Sequence, residues 1–355
     1  MKNLEKYLSL LQTGELDGLL LTSEISRHYC AEYNVSEGVA VVTAKGCRYF
    51  TDSRYIEAAQ KHLSGFTVEM VGSGRDYFSL INRTLDDFGV KRLGFEECRL
   101  TVAEFEDYRK HLHAELVPCQ EQLDAFRVVK EPWEIERMER AQQITDEAFS
   151  QVCGRIREGM TEKELCAELI YCLYKNGGEG LSFAPIVVSG PNSSMPHGVP
   201  GDRRLQKGDF LTMDFGVVYQ GYCSDMTRTV ALGYATDEMK KVYDTVLQAQ
   251  LAWIAATRAG VTGQAIDGAA RKVIADAGYG DCFGHGYGHC LGLEIHESPN
   301  CNPRNDKPMP AGSVSSAEPG IYLPGKFGVR IEDVVVIAPE GCRILTKSPK
   351  NLIIL

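Results

Sequence analysis

Four carboxylates and one histidine, Asp214, Asp225, His289, Glu318 and Glu332, stand at spacings suited to metal ligation. Carboxylate oxygens and one imidazole nitrogen are hard donors, a set that favours Mn, Co or Zn over copper or iron–sulfur chemistry. Four negative charges balance two divalent cations, whereas a single cation would be over-neutralised. The pattern therefore points to a hydrolytic site with two metals about 3.5 Å apart. The twelve cysteines include no CxxC pair, which argues against a cysteine-rich zinc site.

Hairpins are the elements expected to position these groups. Asp214 lies in FLTMDFGVV and Asp225 in GYCSDMTRTV, two apolar, β-branched runs. A turn centred between Tyr219 and Gln220 would make the two aspartates a direct cross-strand pair. Like charges placed opposite each other destabilise a sheet, so a cation is expected between them; the other reading is a solvated strand face. Glu318 in SSAEPGIY and Glu332 in FGVRIEDVVVI repeat the arrangement across LPGK.

The repetition extends further. KGDFLTMDFG (207–216) aligns with AGSVSSAEPG (311–320), and GMTEKELCAELIYCLYKNGG from Gly159 aligns with GVTGQAIDGAARKVIADAGY from Gly260. Residues 135–230 and 236–338 read as two copies of a helix, helix, hairpin unit, with His197 and His296 placed ahead of the hairpins. Two such halves facing each other would bring four carboxylates to one cleft. Chance likeness of two amphipathic helix pairs is the competing reading. His289 sits in the glycine-dense FGHGYGHCLGLEIHE, expected as an irregular strand or loop whose backbone passes close to a neighbour. In that run His285 is expected to be a packed core histidine. His28, His62, His111 and His113 have surface-like neighbours.

MDFG, SDMTRT, HGYGHCLGLEIHE, AEPGIY and GVRIED together resemble the Xaa-Pro branch of the pita-bread metallopeptidases, which holds aminopeptidase P and prolidase. The likeness covers nearly the whole chain. It implies a mixed α/β (α+β) fold: a creatinase-like N-terminal α/β domain, then a pita-bread domain of two pseudo-symmetric halves around a curved antiparallel sheet. It implies that Asp214 and Asp225 hold one metal and His289 and Glu318 the other, with Asp225 and Glu332 bridging. His197, His296 and Arg330 match positions that contact substrate or steady the reacting centre, although Arg330 could instead simply orient Glu332. Glu318 matches the proton shuttle that serves the proline nitrogen.

The expected activity is Xaa-Pro hydrolysis at the N-terminus of short proline-containing peptides by an aminopeptidase P-like homodimer with two divalent ions, Mn before Co or Zn. A prolidase-type dipeptidase is the alternative. A catalytically silent peptide-binding protein and a metal-free creatinase-like amidinohydrolase are more distant, because all five ligands are present. An organophosphate or ester hydrolase activity would be a side reaction of the same site.

Three departures bear on that expectation. Ser316 and Ala317 stand where relatives carry threonine and a β-branched residue, and Cys290 directly follows His289. Some dipeptidases place an arginine shortly after HExP to grip the substrate carboxylate, whereas the nearest here is Arg304, which favours the aminopeptidase reading. The short interval between Glu318 and Glu332 looks like small prolidases and pulls the other way.

The first third carries none of this chemistry. LDGLLLTS, GVAVVTAKGCRYFTD, FTVEMVG, KRLGFEE and AELVPC read as strands alternating with three helices, a separate α/β domain at 1–124, with the catalytic domain at 125–355. Pro132 opens the next helix as a first-turn residue. The run VGSGRDYF lacks a nucleotide fingerprint and reads as a loop. A net charge of −10 argues against a basic nucleic-acid-binding face. No apolar run approaches the ~20 residues needed to cross a bilayer. The charged N-terminus reads as an amphipathic helix and not as a secretion signal, and the thiol content leads to an expected cytoplasmic location.

Overall fold

The computed structural model describes residues 2–74, 76–284 and 286–355. His285, expected in the core, lies outside the described residues, as does Arg75 in the 71–78 loop. The chain divides into two units, Met1–Arg127 and Val128–Leu355. The helix Gln120–Val128, with Leu123 and Arg127 buried, runs through the expected boundary after residue 124.

The first unit is built on a six-stranded sheet. In spatial order its strands are Thr67–Met70, Gly46–Thr51, Val39–Thr43, Gly18–Leu21, Arg92–Phe95 and Glu115–Pro118. Gly18–Leu21 and Val39–Thr43 are buried at every position, which is why they read as continuous apolar runs and not as alternating ones. Leu20, Val41, Phe50, Ile81, Leu85 and Leu93 share its core. The helix Glu24–Ala31 was not legible from periodicity, because six of its residues are buried, including Arg27 and His28. Arg27 donates to the Ser36 and Gly38 carbonyls. His28, expected at the surface, is 7% exposed.

The second unit states one plan twice. Helices Pro132–Cys153 and Glu162–Lys175 precede strands Ile186–Ser189, Phe210–Phe215 and Met226–Ala231; helices Asp237–Ala256 and Gly263–Asp276 precede Gly288–Cys290, Val314–Ala317 and Asp333–Ala338. Each trio is antiparallel with its second strand in the middle. Thr161 and Thr262 cap the second helix of each half, accepting from the Glu164 and Ala265 N–H groups, and both make isolated bridges, to Arg204 and Pro308. An N-cap threonine satisfies an otherwise orphaned amide and contributes about 1 kcal/mol.

Each half buries its own core: Ile144, Leu165, Leu169, Met213 and Phe215 in the first, Val246, Trp253, Ile266, Ala317 and Val335 in the second. At about 1.5–3 kcal/mol per large apolar side chain, these cores hold the middle strands rigidly. The halves join where Met226–Ala231 meets the segment 327–333. The Glu332 amide donates to the Thr227 carbonyl (3.1 Å), and Thr229 Oγ1 donates to the Arg330 carbonyl (3.0 Å).

Among the described residues, no helix is long and apolar enough to cross a membrane. All twelve cysteines are free thiols, and Cys98 is the exposed one.

Candidate metal centre

The first hairpin differs from the expected register. Tyr219 pairs with Tyr222 and Asp214 with Thr227, so Asp225 is not the cross-strand partner of Asp214. The two turn residues are Gln220 and Gly221, with φ of 47° and 83°. A type I′ turn needs both in the left-handed region, which Gly221 takes freely, so the turn is centred one residue later than the sequence suggested. Moving the turn by one residue moves every partner by two, which preserves the strand face. Asp225 sits in the break between Tyr222–Cys223 and Met226–Ala231. Gly216 permits that break, because a Cβ there would lie 2.0 Å from the Ser224 carbonyl oxygen.

The second hairpin has the expected facing pair. Ala317 pairs with Asp333 and Gly320 with Arg330, and the same register carried through the gap sets Glu318 opposite Glu332. Gly288 answers for the glycine density around His289: a Cβ there would lie 2.3 Å from the Ser316 carbonyl oxygen. That close approach lets the His289 amide donate to Ser316 Oγ (3.1 Å), while Ser316 Oγ donates to Glu318 Oε1 (3.2 Å).

All eight residues singled out above line one cleft of about 1050 Å³: Asp214, Asp225, His289, Glu318, Glu332, His197, His296 and Arg330. Ligand atoms of Asp225, His289 and Glu332 lie within 4.8 Å of one another. His289 Nε2 is 3.5 Å from Asp225 Oδ2 and 3.4 Å from Glu318 Oε1. Its Nδ1 faces the Cys290 carbonyl (3.2 Å) and must donate there, which leaves the Nε2 lone pair towards the carboxylates. The His296 ring stands edge-on to His289 at 4.5 Å, and His197 is exposed on the cleft wall.

Asp214 pairs with Arg330, whose Nη2 donates to Asp214 Oδ2 (2.5 Å). Arg330 also donates from Nη1 to Tyr322 Oη (2.7 Å) and from Nε to Thr227 Oγ1 (3.0 Å). Thr227 Oγ1 in turn donates to Glu332 Oε2 (2.7 Å). Arg330 therefore steadies Asp214 directly and Glu332 through Thr227.

Thr227, Tyr322 and Ser316 form a supporting layer, of which the sequence pointed only to the Ser316 hydroxyl. Thr227 lies two residues beyond Asp225, on the same strand face, and that alternation was the available signal. Arg228, on the opposite side, donates to the Glu332 and Ser348 carbonyls and to Asp333 Oδ1 (2.8 Å).

Electrostatically the cluster is unsatisfied without a cation. Burial, then repulsion from Glu332, Asp214 and Glu318, raises the Asp225 carboxyl well above the usual range; burial, then Glu318 and Asp214, does the same to Glu332. Glu318 is pushed up to about 7, by burial first and by Asp214 among its neighbours. Burial holds His289 and His296 below the ordinary imidazole value. Asp214 Oδ1 and Asp225 Oδ1 are buried with no hydrogen-bond partner. Buried carboxylate oxygens without donors are costly, and a divalent cation supplies what they lack. The donor set fits such ions.

Residues 136–339 match the model of metallopeptidase family M24, and residues 3–129 match the creatinase/prolidase N-terminal domain. The chain belongs to metallopeptidase family M24.

This M24 chain is 41% identical over 353 residues to an uncharacterized peptidase, YqhT, of Bacillus subtilis, covering 99% of each. Among solved structures it resembles an Xaa-Pro dipeptidase from Bacillus anthracis (39% identity, TM-score 0.95, covering 100% of this chain and 99% of that one). It also resembles an X-Pro aminopeptidase from Thermotoga maritima (36% identity, TM-score 0.94, 99% of both chains). The fold is accordingly the pita-bread arrangement behind a creatinase-like domain, and the protein is a metallopeptidase.

Proposed function

We propose that this metallopeptidase hydrolyses the bond between the N-terminal residue and a following proline in short peptides. The observation that carries the reading is the buried group Asp225, His289 and Glu332, with Glu318 against it and unpartnered carboxylate oxygens facing an open cleft. Two divalent ions, Mn before Co or Zn, would be held by Asp214, Asp225, His289, Glu318 and Glu332, of which Asp225, His289 and Glu332 bring ligand atoms within 4.8 Å of one another. When bound, such ions polarise the scissile carbonyl and make water a nucleophile at neutral pH.

The chain's own residues do the rest. Glu318, whose side chain is 17% exposed against 5% for Asp225 and 12% for Asp214, takes a proton from water and passes it to the proline nitrogen. A tertiary amide nitrogen leaves only when protonated. His197 and His296 donate hydrogen bonds to the substrate carbonyl, a contribution of ~10²-fold or more per well-placed donor. Arg330 fixes Asp214 and, through Thr227, Glu332. Free thiols throughout suit a reducing cytoplasm, and a homodimer is the assembly we propose.

A strict dipeptidase is the second reading. The lack of an arginine directly after HExP weighs against it, yet Arg304 lines the cleft with its side chain exposed. The similar solved structures carry both names.

The test is an assay of metal-reconstituted protein on Ala-Pro, Ala-Pro-Ala and Ala-Ala, with Asp225→Asn as the control. Cleavage of the proline peptides but not Ala-Ala supports the proposal. No cleavage of either proline peptide with Mn, Co or Zn overturns it. Preference for Ala-Pro over the tripeptide selects the dipeptidase reading.

A further inference from the structure

His296 and Ile295 reach the cleft from a loop, 292–297, that is held at its start by the buried Leu293 and by the Cys223 amide donating to the Gly292 carbonyl (2.7 Å). The loop is folded around one carboxylate. Glu297 Oε1 accepts from the Glu294 amide (3.2 Å), the Gly292 amide donates to the Glu294 carbonyl (2.9 Å), and a Cβ on Gly292 would lie 2.8 Å from Glu297 Oε2. Glu297 is also the strand partner of Cys290, next to His289, where the ladder shifts register.

The carboxylate is neutralised from an unexpected direction. Lys130 Nζ lies 2.8 Å from Glu297 Oε2, with the two side chains 1% and 3% exposed. Lys130 is anchored at its other end as well, its amide donating to the Gly312 carbonyl (3.0 Å) ahead of the strand that leads to Glu318. Gly312 accommodates this approach, since a Cβ there would lie 2.8 Å from Val129 Cγ1.

A buried ion pair gains little stability over a well-packed apolar pair of the same shape, because desolvation offsets the attraction. Its distinctive effect is to fix where the charge, and the backbone gathered around it, must sit. We infer that Lys130 is a positioning residue for the His296 wall of the cleft, acting through Glu297. The role in catalysis rests on the reading that His296 touches substrate.

Two measurements on the metal-loaded full chain test this. The first is a mutant cycle in kcat/KM on the cleaved Xaa-Pro peptide. Lys130→Met should lose between about 10- and 100-fold, as expected when a substrate-contacting group is misplaced. Combined with His296→Ala it should add less than about twofold to the loss of His296→Ala alone, because the effects share one route. Losses that multiply, or a Lys130→Met protein within twofold of the parent, overturn the inference. The second needs no turnover and uses diamagnetic zinc as the bound metal: in protein labelled at histidine, Lys130→Met should move the His296 ring resonances and leave those of His62 and His113 in place. Unmoved His296 resonances overturn the inference even if the peptide assay has already refuted the proposed activity. Glu297→Gln carries both measurements if Lys130→Met does not fold.

Discussion

Removing divalent metal with a chelator should make Glu318 a liability that grows with pH. Its folded value is pushed up to about 7 from an ordinary 4.5. The folded state therefore holds the proton more tightly than the unfolded chain does. Stability contributed by that proton is fully present below 4.5 and is lost as pH rises through 7. The span corresponds to about 3 kcal/mol, at about 1.4 kcal/mol per pH unit. Carboxylates held down by amide donors, such as Asp17 with the Arg92 and Lys91 amides, act in the opposite direction, so the absolute curve mixes signs. The difference between the parent and Glu318→Gln isolates the effect.

In metal-free protein the two melting curves should nearly coincide near pH 4.5 and separate by pH 8, with the glutamine variant higher by roughly 6–12 °C. Thermal melts in the presence of chelator across that range are the assay. Adding Mn should reverse the order, because a ligand that binds only the folded state raises its stability by mass action. A parent and variant whose separation does not change with pH would refute the claim that Glu318 is ionised at a cost in the metal-free cluster.

Two further outcomes follow from the hydrogen bonds around the site. Thr227→Val keeps the shape but removes the donor to Glu332 and the acceptor for Arg330, so metal affinity measured by calorimetry should fall about 10- to 100-fold with the fold intact. Arg228→Met removes the guanidinium from Asp333, which keeps Lys350 Nζ (2.8 Å) and Gln250 Nε2 (2.9 Å), so denaturant unfolding should show a loss of about 1.5–3 kcal/mol, the worth of a charged hydrogen bond.

What could be read from the sequence divides by the range of the interactions. The gathering of Asp214, Asp225, His289, Glu318 and Glu332 in one cleft, the facing pair Glu318 and Glu332, and the doubling of the second unit were legible because the spacing along helices and strands recurs locally. Thr161 and Thr262 cap matching helices, each through the amide three residues on. The Asp214 register was missed because it hangs on one turn residue, Gly221, and a hairpin transmits that choice to every later pair. The helix Glu24–Ala31 was missed because burial on most sides erases the apolar stripe, its polar members being satisfied by partners remote in sequence. Lys130 was invisible for the same reason: its partner Glu297 is 167 residues away.

The distribution of thiols offers a means of watching the protein at work. Burial pushes Cys290 and Cys301 up to about 12, which leaves them almost wholly protonated at neutral pH and unreactive towards alkylating reagents. Cys98 is exposed and lies in the first unit. A maleimide dye should therefore attach there first without any engineered cysteine, giving a reporter on the domain that carries none of the catalytic groups. Its fluorescence during metal loading or peptide turnover would show directly whether that domain responds to what happens in the cleft.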